Sequence, residues 1–99
     1  MTVKFVYDNW TGREAARRKI KDGQLELRRY REQKSGRTAY ELWFLTPEGA
    51  AWNSFCTWGG DRDKQAKTTK NVLEKLYHAI GSADGFYRAR HTFFNNGKE

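Results

Sequence analysis

The chain has 99 residues, 37% hydrophobic and 15% aromatic, and a formal net charge of +7 from 19 Lys and Arg against 12 Asp and Glu. That length fits one compact domain, expected over residues 1–94 with a short flexible tail at 95–99, and leaves no room for two independent cores. A single cysteine, Cys56, excludes an internal disulfide and a cysteine-built zinc cluster and points to a reducing, cytoplasmic compartment.

The charge is patterned. Residues 13–37 carry ten basic and four acidic side chains, residues 38–61 none and three, and residues 62–99 eight and four. Such an excess favours polyanionic partners through counterion release, although it also serves solubility. The opening MTVKFVYDNW lacks the apolar core of a signal peptide, and no run approaches a membrane span.

Residues 2–8 alternate Val3, Phe5 and Tyr7 against Thr2, Lys4 and Asp8, interrupted by Val6, which predicts a short strand with one buried face. Thr11-Gly12-Arg13-Glu14 then matches a capping box and predicts a helix over 12–22, with Ala16 and Ile20 inward and Gly23 as its stop. Arg13, Arg17, Arg18, Lys19 and Lys21 would coat its outer surface. Asp22-Gly23 is also a hairpin signal that would pair 18–21 with 24–27; the alanines and the capping box favour the helix.

Residues 25–58 organise the rest. Turn signals at 34–37 and 46–49 divide them into three strands, 24–32, 38–45 and 51–58, joined as an antiparallel meander. In the first, Leu25 and Leu27 point one way and Glu26, Arg28 and Tyr30 the other; past Leu27 the inward positions become Arg29 and Arg31, so the core ends there. The second is apolar on both faces in its later half, as in a central strand. The third sets Trp52, Cys56 and Trp58 against Asn53, Phe55 and Thr57, which leaves its buried face open, and Gly59-Gly60 ends it. Asp61 or Asp63 would cap a helix in which Thr69, Val72, Leu73, Leu76 and Ile80 follow helical spacing to a stop at Gly81. Residues 86–94 read as a last strand, with Phe86, Arg88 and Arg90 on one face.

The expected fold is α+β, an antiparallel sheet of about five strands in the order β-α-β-β-β-α-β with two helices packed on one face. That order resembles a ferredoxin-like split βαβ domain with one extra strand, but YELWFL at 40–45 lacks the basic-aromatic-glycine signature of the RNA-recognition version.

Arg28, Tyr30 and Arg31, with Trp43 on the neighbouring strand, are the candidates for a platform in which cations meet phosphates and rings accept unstacked bases. Arg88 and Arg90 would extend it, and Arg17, Arg18, Lys67 and Lys70 on basic helices would contact backbone. The competing reading is a core Trp43 beside an ordinary charged edge.

No catalytic set emerges. His78 and His91 lack metal-ligand spacing, Cys56 reads as a small core residue, and there is no phosphate-binding glycine loop. Asp8, Glu26 and Glu41, the carboxylates a metal-dependent nuclease would use, show no implied grouping. The expected function is a non-catalytic, cofactor-free binder of DNA or RNA, monomeric or dimeric. The alternative is a phage or mobile-element accessory protein that docks on and inhibits a host nucleic-acid enzyme, of the anti-CRISPR or anti-restriction type, through aromatic and arginine anchors.

Overall fold

Residues 13–20 form a strand, and the helix that Thr11 and Glu14 predict is absent. The computed structural model describes residues 3–34, 36–56 and 66–96, with side chains for all of these except 51–56, 66–67 and 93–96. Within it Thr11 Oγ1 accepts from the Arg13 amide at 3.3 Å and Gly12 adopts φ +72°, so the threonine closes a turn. That turn joins β1 (Val6–Asp8) to β2 (Arg13–Ile20), which pair antiparallel. Ala15 and Ala16 are both buried, on opposite faces of β2. In a strand, two adjacent residues are both buried only where both faces are covered.

The hairpin signal therefore wins over the capping box. β3 (Gly23–Arg31) returns along β2 after the two-residue turn Lys21-Asp22, with Ile20 opposite Gly23. This is one residue earlier than a turn centred on Asp22-Gly23 would give. β4 (Thr38–Leu45) follows as the meander predicts, pairing Arg31 with Thr38 through Gln24 with Leu45. β1 to β4 form a four-stranded antiparallel meander; β5 (Ala51–Cys56) pairs antiparallel with β4, and β6 (Ala66–Lys67) pairs parallel with β5.

Two helices complete the α+β fold and pack against β3 and β4. α1 spans Lys70–Ala79 and is capped by Thr69, whose hydroxyl accepts from the Val72 amide at 3.3 Å. The helix thus starts well after Asp61 and Asp63, which lie outside the described residues, as do Trp58 and Gly59-Gly60. α2 (Ala83–Asn96) replaces the predicted last strand. Ser82 initiates it: its Oγ accepts from the Gly85 amide at 3.1 Å, its carbonyl accepts from the Phe86 amide at 3.1 Å, and Asp84 and Arg88 pair one turn apart. Phe86 and Ala89 then fall on one helical face. The aromatic content of 86–94 mimics a strand only when the cap is overlooked. The order of elements consequently departs from the split βαβ plan. The expected tail at 95–99 runs into this helix through Asn96, and residues 97–99 lie outside the described residues.

Ala16, Leu25, Leu27, Leu42 and Phe44 make the sheet side of the core, and Leu73, Tyr77, Ile80 and Phe86 the helix side. The Phe44 and Phe86 ring centroids are 5.8 Å apart. The β2–β3 turn is tied to the helix junction: the Lys21 amide donates to the Gly81 carbonyl at 3.2 Å, and Asp22 Oδ1 accepts from the Ala83 amide at 2.7 Å. No helix among the described residues is long and apolar enough to cross a membrane.

Gly23 has a specific reason to be glycine, since a Cβ there would lie 2.5 Å from the Leu45 carbonyl oxygen and 2.6 Å from the Phe44 ring. Gly23→Ala is expected to cost about 1–3 kcal/mol by overpacking. Chemical denaturation against Gly49→Ala, whose added Cβ meets nothing within 4 Å and whose cost arises from a φ of +88° alone, separates the clash from backbone strain.

Candidate nucleic-acid interface

The register assigns the candidate side chains of β2 to β4 to a face. Opposed residues share a side, so Arg13, Ala15 and Arg17 of β2, Glu26, Arg28 and Tyr30 of β3, and Ala39, Glu41 and Trp43 of β4 lie on the face turned away from the helices. Glu26 and Glu41 are 1% and 0% exposed there. Both carboxylates are bonded through both oxygens. Glu26 accepts from Arg17 Nε at 2.6 Å and from Arg28 Nε. Glu41 accepts from Arg13 Nη1 at 2.9 Å, from Trp43 Nε1 at 3.0 Å and from the Tyr30 hydroxyl at 3.1 Å. The Arg13 guanidinium lies 4.0 Å from the Tyr30 ring centroid and that of Arg28 5.0 Å from the Trp43 ring.

Three of the four platform residues, Arg28, Tyr30 and Trp43, therefore do meet on one face, but the Arg28 Nε, the Tyr30 hydroxyl and the Trp43 Nε1 each donate to a buried carboxylate. Arg17 also belongs to this lattice, since its second nitrogen donates to Asp8. Its pairing with Glu26, and secondarily with Asp8, pushes its pKa further up. Asp8 and Glu26 thus grip one arginine, and among the described residues no three metal-ligating side chains converge.

Arg18 points to the opposite face. Its Nε donates to the Tyr77 carbonyl at 2.8 Å and its terminal nitrogen to the Ile80 carbonyl, so it closes the C-terminus of α1. Arg88 and Arg90 sit on α2, with Arg88 paired to Asp84, so neither extends the sheet platform as a strand neighbour. Burial lowers the Arg90 pKa. The Lys67 side chain lies outside the described residues, as does that of Cys56. His78 and His91 fall on α1 and α2.

Arg31, the fourth platform residue, lies on the helix side of the sheet at its far end. It begins the β3–β4 turn, where Gly36 takes φ +71° and the Glu32 amide donates to the Arg37 carbonyl at 2.9 Å. Arg31, Lys34 and Arg37 are all exposed, and among the described residues no carboxylate pairs with Arg31 or Lys34. At the foot of this hairpin an open depression of about 330 Å³ is lined by Glu14, Arg29, Tyr30, Arg31, Thr38 and Tyr40. Arg29 is held by both oxygens of Glu14 and covers the Phe5 ring at 4.0 Å, and this bonding lowers the Glu14 pKa.

Lys70, the first residue of α1, brings its Nζ to 5.4 Å from the Tyr40 ring centroid. The N-terminus of α1, with no acidic residue in its first turn, thus opens beside the same hairpin. Lys34, Arg37 and Tyr40 were outside the predicted set; the signal for them was the cluster of cations around the 34–37 turn. Comparison with known protein families, with curated proteins and with solved structures finds no match.

Two measurements check the lattice. Glu41→Ala strands the Arg13 guanidinium and two neutral donors, and because Arg13 keeps some solvent the expected cost is about 3 kcal/mol in urea unfolding. The Trp10 amide, together with Arg17, holds the Asp8 carboxyl below its ordinary value of 3.8. A lowered folded pKa stabilises the fold above the unfolded value, and that contribution fades as pH falls through the folded one. Asp8→Asn should therefore be less stable than wild type at pH 7, with the difference shrinking below about pH 4; a difference that persists unchanged in acid contradicts this.

Proposed function

We propose that the protein binds nucleic acid by its phosphate backbone, through the end of the sheet formed by the β3–β4 hairpin and the start of α1. Arg31 and Lys34 make the primary contacts, with Arg37 and Lys70 beside them and the depression at Tyr40 available to a sugar or base. The observation that carries this reading is a division among the cations. Arg13, Arg17 and Arg28 are each neutralised by a carboxylate, whereas Arg31 and Lys34 are exposed with none among the described residues.

A guanidinium already bonded within the fold gains little from a phosphate, because the carboxylate it leaves would be stranded. An exposed cation with no partner releases counterions at no such cost. A two-stranded basic ribbon is also of a size that the major groove of duplex DNA admits. Contacts of this kind position a protein without reading sequence, so low sequence specificity accompanies the proposal.

Fluorescence anisotropy with duplex DNA, single-stranded DNA and RNA at about 50 and about 200 mM salt tests it. The expected result is salt-sensitive binding that the double variant Arg31→Glu, Lys34→Glu weakens at least about tenfold, lowering the log–log salt slope by about 1.8 for duplex DNA. Absence of binding at low salt, or unchanged affinity in the double variant, overturns this reading and favours a docking role on a protein partner.

A further inference from the structure

β1 is the first strand of the sheet and pairs only with β2, so the backbone groups along its other edge have no strand partner among the described residues. Its side chains are unusually apolar for a free edge. Val6 is 57% exposed and Tyr7 62%, and Trp10 in the following turn is 95% exposed. The edge is also self-complementary. Residues 4–8, which are β1 and the two residues that precede it, read Lys-Phe-Val-Tyr-Asp, which, turned end for end about Val6, sets cation on anion, ring on ring and valine on valine.

We propose that the β1 edges of two copies of this chain pair antiparallel about a two-fold axis at Val6, forming one sheet continuous across a homodimer. Lys4 then stands opposite Asp8 of the second copy, Phe5 opposite Tyr7, and Val6 opposite Val6, at the separations of cross-strand neighbours. The symmetry makes each charge pair occur twice, as an isologous interface requires.

Lys4 is exposed and pairs with no carboxylate among the described residues. Asp8 already accepts from Arg17 and from the Trp10 amide, and a carboxylate has about four lone-pair sites, so the ammonium can join without displacing either donor. The two-fold axis runs perpendicular to the sheet. Both helical layers consequently lie on one side and the two β3–β4 hairpins at opposite ends, and the interface does not depend on the nucleic-acid reading. A joint of one short strand pair is small, so the dimer should be concentration-dependent.

Sedimentation velocity of the full chain from about 5 to about 500 µM is the test. The expected result is a monomer–dimer equilibrium. Val6→Lys sets two ammonium groups against each other on the axis and should weaken association at least about tenfold. Because Val6 is exposed, the thermal midpoint at the lowest concentration should not change. Lys4→Glu, which opposes two carboxylates twice per dimer, should act in the same direction and decides the matter should Val6→Lys disturb folding. A monomer at every concentration, or a dimer that Lys4→Glu leaves unaltered, overturns the proposal.

Discussion

Glu26 and Glu41 lie in the middle of the sheet, one on each central strand, and neither has access to water. A buried carboxylate survives only when cations and hydrogen-bond donors surround it, and here three arginines, a tryptophan N–H and a tyrosine hydroxyl converge on the pair. This requirement fixes much else. It orients Arg13 over Tyr30 and Arg28 over Trp43, links β1 to β3 through the shared Arg17, and closes the face turned from the helices with side chains that look adhesive in one dimension. It also separates cations held inside the fold, such as Arg13, Arg17 and Arg28, from exposed ones such as Arg31 and Lys34.

The helix side is governed by direction. α1 begins near Tyr40, where Lys70 covers the ring, and ends where Arg18 receives its last carbonyls. The helix dipole therefore places its positive end beside the β3–β4 hairpin and its negative end against a fixed guanidinium. Arg18 serves the fold, whereas Arg31 and Lys34 pair with no carboxylate among the described residues, although all three belong to one basic stretch of sequence. The β2–β3 turn reinforces this alignment, since Lys21 bonds to Gly81 between the two helices and Asp22 to Ala83 at the start of α2.

Most of the sheet was legible because period-two alternation and turn residues act locally. The two central strands and the α+β class follow from the alternation between Leu25 and Phe44, and the antiparallel return of β5 from the 46–49 turn. The β2 error has a physical source: Thr11 to Glu14 satisfies a capping box, and two alanines suit a helix, but both alanines are buried on opposite sides by neighbours distant in sequence. α2 is hidden in the sequence because the aromatic residues of 86–94 suit a strand, while Ser82 and Asp84 just before them specify a helical start. The candidate platform was partly legible. Arg28, Tyr30 and Trp43 do share a face, but nothing local reveals that Glu26 and Glu41 would consume their polar groups, since that depends on cross-strand register.

Under the proposed function the hairpin end, and not the arginine-aromatic face, meets nucleic acid. The most direct measurement is backbone amide NMR of the labelled chain titrated with a short DNA duplex. The account predicts the largest shifts at Arg31, Lys34, Arg37 and Lys70, with the amides of Glu26, Arg28, Glu41 and Trp43 little changed. Shifts concentrated on that second group would mean that the buried ion pairs open to admit a ligand, and would contradict it.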